Sequence, residues 1–448
     1  MKKKVMIVGS GFRGFCDALH LMDNPDLELQ IVDSAPFFGG VMHSLDIEGF
    51  AVDKGVHIFD SIPVSLAETV TEIMDGQVHE IDFVSASAFN NKVTEQFSLP
   101  DLNSLDDASV KEQIRQELLT LAKESPTGLP ANLEEYFEQR YGKTAAGIFS
   151  QIFHKVYGLT SAEVEPTAIA QTSMGRLKFL DDDAMRELKQ DPWLDTVLAA
   201  RRKSMGKIDD FVSIYPSDGN AMRGWCERAV KWLEAKGVAV KLGVKIEKIE
   251  EDDNGVRVHT NNGVIEVDTV LWSNDSIKAL GDAIDIPDDV DGLQYGTPMM
   301  FATLLTQADK VRDFTYLQNF DPDQLTYRTA ASGRFSHQVR PDGVSFLTAE
   351  CPIQIGSENW NNPDAMGQKV WDEIKNLGVV DQDAELVAAD IKRIPVTFKL
   401  AKTGYAKAFT DFHQKVANNH KRVILRDVTP FFRRDIYFDS AHLGELIA

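Results

Sequence analysis

Residues 5–14 read Val5-Met6-Ile7-Val8-Gly9-Ser10-Gly11-Phe12-Arg13-Gly14. A short apolar strand runs straight into three glycines spaced G-x-G-x-x-G. A helical stretch from Phe15 to about Met22 follows, and a second apolar strand, Leu27 to Val32, ends on Asp33. Gly9 permits the tight turn, Gly11 lets a pyrophosphate approach the backbone, and Gly14 lets the helix pack close to the strand. The first helical turn offers free N–H groups and a positive dipole end to phosphate oxygens. Asp33 lies 19 residues after Gly14, where a carboxylate can accept hydrogen bonds from a ribose diol. In this strand, turn, helix, strand context the spacing predicts a dinucleotide-binding unit. The bland alternative is an ordinary glycine turn with Asp33 in a solvated loop.

Beyond Asp33 come Ser34-Ala35-Pro36-Phe37-Phe38, then Gly39-Gly40 and Val41. A glycine pair here suits a second backbone approach to the same ligand. Phe50-Ala51-Val52-Asp53-Lys54-Gly55-Val56-His57-Ile58-Phe59 follows. The run from Asp33 to Gly40, with Asp53 to His57 behind it, resembles FAD enzymes of the amine oxidase and protoporphyrinogen oxidase superfamily. The Gly55 to Phe59 run is most similar to UDP-galactopyranose mutases. The resemblance implies FAD rather than NAD. It implies cofactor contacts from Gly9, Gly11, Phe12, Gly14, Asp33, Ser34, Gly39, Gly40 and Val41. It also sets His57 beside the flavin as the candidate catalytic residue; the alternative is a core histidine bonded to a carbonyl.

The chain has 448 residues, 43% hydrophobic and 26% charged, enough for two or three domains with a large core. No stretch approaches the roughly 18 apolar residues of a membrane span. The apolar run Val5 to Val8 is too short for a signal-peptide core, so a cytoplasmic location is expected. Cys16, Cys226 and Cys351 are odd in number and far apart, without metal or redox spacing; no metal site is expected. A net charge of −22 argues against nucleic acid and anionic membrane as partners. An anionic substrate would need locally placed arginines.

Further along, helices are expected over Ile62–Gly76 and Leu105–Ala122, with short strands between Glu80 and Leu99. Asn132 reads as a helix cap, and a second helix follows Thr144 and ends near Gly158. Phe153-His154-Lys155-Val156-Tyr157-Gly158 resembles the mutases' aromatic-Thr-Glu-Lys-x-Trp-Gly run, with Tyr157 in the tryptophan position as a substrate-binding candidate. Arg176 is displaced from the family's arginine motif. A helix from Met222 to Lys236, strands at Val238–Leu242 and Val244–Glu250, a hairpin at Asn261-Asn262-Gly263 and a buried strand from Asp268 to Ser273 come next. The resemblance sets the Val244 backbone near the adenine and Ser273 near the pyrophosphate.

From Ile286 onward a substrate-facing region is expected. Met299–Leu305 reads as a strand, and Leu325–Arg328, Phe335 and Val344–Pro352 as adjacent strands. Thr326-Tyr327-Arg328 and the later Glu350-Cys351-Pro352 resemble two mutase strands whose arginine binds the substrate diphosphate. That makes Arg328 the candidate anion anchor, with Tyr327 beside it and Arg334 a second choice; a guanidinium fork suits phosphate. The alternative is a surface strand arginine. Asn359–Leu377 reads as one helix, Val423–Asp427 as the last strand, and Phe431–Tyr437 as a loop. Asp439 reads as the cap of a final helix, Ser440–Ala448. The superfamily's last strand ends in Gly-Asp. Asp427 matches the acid, Arg426 replaces the glycine, and Tyr437-Phe438-Asp439-Ser440 is similar to the mutase Tyr-Tyr-Asp-Met ending, which makes Ser440 a further cofactor candidate.

The expected fold is α/β. A Rossmann-type, glutathione-reductase-like FAD-binding domain is assembled from 1–100, 208–285 and 420–448. A helical insertion covers 101–207, and a mixed α+β substrate domain with an antiparallel sheet covers 286–419. The resemblance implies an FAD-dependent enzyme acting on a small molecule, a nucleotide-linked sugar for surface polysaccharide, by mutase-type ring contraction. An amine-oxidase or protoporphyrinogen-oxidase-type oxidoreductase is the alternative. An inactive binding protein on the same scaffold is the third reading, kept open by Arg426. Homo-oligomerisation stays open.

Overall fold

The computed structural model describes residues 2–201, 210–287, 289–426 and 432–447. The chain divides into two compact units: residues 1–81, 207–292 and 406–448 form the first, and 82–206 with 293–405 the second.

The first unit is built on a five-stranded parallel sheet. Its strand order is Ala239–Leu242, Leu27–Asp33, Lys3–Val8, Thr269–Trp272, Val423–Leu425. The chain leaves Lys3–Val8 to one side and later returns on the other. The C-terminal end of that strand is therefore a topological switch point, where ligands bind in such sheets. Val5, Met6, Ile7, Ile31, Val32, Val270 and Leu271 are fully enclosed, the unbroken apolar pattern of strands covered on both faces. The first helix, Phe12–Leu21, starts earlier than expected because Gly11, extended at φ −70° and ψ −178°, already serves as its N-cap. A three-stranded antiparallel meander, Ile246–Asp252, Gly255–Thr260 and Gly263–Val267, turns at Asn261-Asn262 as expected.

The second unit carries a seven-stranded mixed sheet in the order Ala388–Ile394, Met299–Gln307, Val344–Cys351, Arg328–Ala330, Tyr316–Asn319, Ser85–Phe89, Lys92–Glu95. Helices Ala108–Glu124 and Leu133–Tyr157 pack beside it. The longer one is kinked at Gly142, φ +79°. There the Glu117 carboxylate accepts from the N–H and hydroxyl of Thr144 at 2.8 and 2.7 Å and so caps the second half. Asn132 caps the first half by accepting from the Glu135 N–H.

The boundaries differ from the sequence reading. The first division falls at Ile81 rather than residue 100, because Ser85–Phe89 pairs in parallel with Tyr316–Asn319. Residues 101–206 are not a separate body. Their helices share one core with Met299, Phe320, Tyr327 and Leu400. The helix Tyr405–Asn419 falls almost entirely in the first unit. Phe335 ends a short helix, Ser332–Phe335, rather than lying in a strand. Asn359–Leu377 is broken: Pro363, which lacks an N–H, separates Glu358–Asn361 from Met366–Asn376. The C-terminus also differs. Arg433–Ser440 is a helix, so Asp439 sits inside it rather than capping the next one, Leu443–Ile447. Asp427 lies outside the described residues.

Candidate dinucleotide site

Gly9 turns the chain at φ +113°, and its N–H donates to the Val32 carbonyl at 2.9 Å. A Cβ on Gly14 would lie 1.9 Å from the Gly9 carbonyl oxygen, so the helix can pack there only with glycine. A Cβ on Gly11 would meet nothing within 4 Å. Gly11 thus faces open space at the helix N-terminus. The second glycine pair folds back onto this turn. The Gly39 N–H donates to the Ser10 carbonyl at 2.9 Å, and a Cβ on Gly40 would stand 3.6 Å from the Gly11 Cα.

Asp33 closes the other side. One carboxylate oxygen accepts from the Ser10 N–H at 2.7 Å and its hydroxyl at 2.8 Å, and the second accepts from the Ala35 N–H at 2.8 Å. These three bonds fix the carboxylate and leave acceptor capacity. Val244 donates its N–H to the Asp33 carbonyl at 2.8 Å, so its backbone lies beside the acid. Ser34 and Val41 are exposed near the turn.

A buried polar network lies behind the first helix. Asp17, fully enclosed, accepts from the hydroxyls of Ser273 at 2.5 Å and Ser440 at 2.6 Å. Arg426 stands 3.5 Å from Asp17 and 2.6 Å from Asp439, and Arg13 reaches Asp439 at 2.7 Å. Burial pushes the Asp17 carboxyl up, and the Arg426 charge and the two hydroxyls only partly offset this. The Ser273 and Ser440 hydroxyls are therefore engaged by Asp17. Arg426 turns toward two acids where the superfamily has glycine. Sequence reading missed this network. Its signal was an acid among Phe15, Cys16, Ala18 and Leu21 on the buried helix face.

His57 sits between a carbonyl and an arginine. Its Nε2 is 3.1 Å from the Lys54 carbonyl oxygen, and its Nδ1 is 3.3 Å from Nη2 of Arg433. With the arginine donating to Nδ1, Nε2 carries the proton. The Arg433 guanidinium lies 5.9 Å from the Phe12 ring centroid and 6.0 Å from that of Phe59, within cation–π range. Asp53 accepts from the hydroxyls of Ser44 and Tyr215 and from the Met222 N–H. Burial nevertheless raises its carboxyl to about 6.

The other candidates belong to the second unit. Arg328 and Glu350 oppose each other across neighbouring strands. Nε and Nη2 of the arginine donate to Glu350 at 2.7–2.9 Å. Its charge is thus already met by a nearly enclosed carboxylate. Tyr327 is buried, its hydroxyl 3.1 Å from the Gln318 amide, and Tyr157 is buried with its hydroxyl donating to the Gln171 carbonyl at 2.8 Å. Arg334 is half-exposed and pairs with Asp313. Arg176 holds the carbonyls of Asp195 and Leu198. Lys155 holds those of Asn319 and Thr326, and burial lowers its ammonium to about 8. A cleft of about 500 Å³ between the two long helices is lined by Gln116, Glu117, Leu121, Gly142 and Lys143 among others, and by none of the candidates. Among the described residues, no cluster of side chains could hold a metal ion and no helix is long and apolar enough to cross a membrane.

Residues 7–75 match the NAD(P)-binding Rossmann-like domain family. No curated protein matches the chain. Among solved structures, reduced UDP-galactopyranose mutase has a TM-score of 0.75 at 15% identity, covering 99% of this chain and 92% of that one. A candidate protoporphyrinogen oxidase from Exiguobacterium sp. 255-15 has a TM-score of 0.67 at 14% identity, covering 100% and 99%. A putrescine oxidase double mutant has a TM-score of 0.60 at 11% identity, covering 100% and 99%. The N-terminal part is thus a Rossmann-like dinucleotide-binding domain. The whole chain shares its fold with these three solved structures.

Proposed function

We propose that the protein is an FAD-dependent enzyme of the amine oxidase and protoporphyrinogen oxidase superfamily. The observation that carries the reading is the junction of the two glycine turns. Gly11 faces open space at a helix N-terminus, Gly40 closes over it, and Asp33 is fixed beside it. These residues suit the adenosine diphosphate half of the cofactor. FAD, when bound, supplies redox or covalent chemistry at its ring. The chain's own part is to hold the diphosphate at the first helix, fix the ribose through Asp33, and present His57 as a neutral imidazole.

For the substrate we propose a nucleotide-linked sugar of surface polysaccharide synthesis, in a cytoplasmic setting. UDP-galactopyranose mutase has the highest TM-score of the three structures above. Glu350 takes Nε and Nη2 of Arg328 and leaves Nη1 for an anion, with Tyr157 and Tyr327 as buried supports. A second reading, an amine-oxidase-type oxidoreductase, is favoured by the same ion pair, because an arginine neutralised by Glu350 is a weak diphosphate anchor. Purified protein carrying flavin, reduced with dithionite and titrated with UDP-, GDP- and dTDP-sugars, separates the two. A spectral shift with one nucleotide sugar supports the first. Bleaching by an amine with recovery in air supports the second.

A further inference from the structure

Among the described residues, Arg433 is a cation without a counter-ion. It opens the helix Arg433–Ser440, and among the described residues no carboxylate lies within ion-pair distance of it. The acids that face it are occupied elsewhere: Asp53 by Ser44, Tyr215 and Met222, and Asp60 by Ser61 and Ser213. Of the five guanidinium N–H donors, one meets His57, and Nε is sealed from solvent with no acceptor. Burial lowers the group to about 10. A half-buried guanidinium whose Nε–H is sealed from solvent without an acceptor carries a cost, and an anion brought by a ligand would offset it. Its neighbour Phe12 is the first residue of the helix that Gly11 caps, so that ligand is the one this turn receives.

We propose that Arg433 anchors an anionic group of the bound dinucleotide, with Phe12 and Phe59 as walls and His57 holding the guanidinium in place. The proposal rests on the FAD reading above. Two parts of FAD are anionic: the diphosphate, and the ring once reduced. Either would gain a charge-assisted hydrogen bond.

The test uses the whole protein and the variants R433K and R433M. It measures FAD affinity, ADP affinity by calorimetry, sulfite affinity of the bound flavin and its midpoint potential. R433M should lose about tenfold or more in one of these affinities, the loss of one charge-assisted contact, and R433K should recover most of it. A diphosphate contact lowers FAD and ADP affinity together. A ring contact leaves ADP affinity alone, weakens sulfite binding and makes the potential more negative. R433M that folds and matches wild type in all four readouts overturns the proposal while FAD binding stands. Wild type that takes up no FAD overturns the FAD reading and this proposal with it.

Discussion

The Gly39 N–H donates to the carbonyl of Ser10 at 2.9 Å, so the second glycine turn is tied directly to the first. The three glycines of the first turn then have separable jobs. G14A drives a Cβ to 1.9 Å from the Gly9 carbonyl and should cost roughly 1–3 kcal/mol or more, as overpacking does. G11A meets nothing within 4 Å. It should fold with a stability change under about 1 kcal/mol yet lose FAD affinity. Denaturant melts beside FAD titrations of both variants check this; equal loss of stability would refute it.

Asp33 has a structural and a binding role at once. D33A removes three hydrogen bonds, to the Ser10 N–H, the Ser10 hydroxyl and the Ala35 N–H. It should destabilise by roughly 1–3 kcal/mol and weaken FAD binding. S10A keeps the backbone bond and should cost only about 1 kcal/mol. Affinities for FAD and for the ribose-free flavin FMN, measured in parallel, should show D33A affecting FAD alone.

Arg328 should prove structural whatever it binds. R328M leaves Glu350, 3% exposed, without its partner and should cost about 3–5 kcal/mol. The double variant R328M/E350M should regain most of that, because no charge is then stranded. A double-mutant cycle with denaturant decides it. A near-neutral R328M would contradict the pairing.

Asp53 gives the protein a pH signature. Its carboxyl is raised to about 6, so between about pH 4 and 6 the folded state keeps a proton that the unfolded chain has released. Stability therefore falls as pH rises through that window and levels off above it, by roughly 3 kcal/mol in all. Unfolding free energies of wild type and D53N across pH 4–7 should diverge in that sense. Parallel curves would contradict it.

The first turn was legible because each glycine answers a local demand: a positive φ at Gly9, close packing at Gly14, an open approach at Gly11. The parallel sheet was legible from its unbroken apolar strands. What stayed hidden depends on partners far away in sequence. Asp17 meets Ser273 and Ser440, and Arg426 finds Asp439, through folding alone. Phe431–Tyr437 lacks helical periodicity, yet residues from Arg433 on form a helix because Ser440 and Asp439 dock on Asp17 and Arg13 of the first helix. The pairing of Arg328 with Glu350 stayed hidden because one strand does not reveal the acid opposite it.

The most direct measurement is the visible absorption spectrum of the purified protein, repeated after denaturation, refolding with excess FAD and removal of unbound cofactor. Flavin bands at about one FAD per chain, lost in G11A at unchanged stability, are the expected result. A refolded wild type without flavin bands, its turn intact, would contradict the reading of this fold as an FAD enzyme.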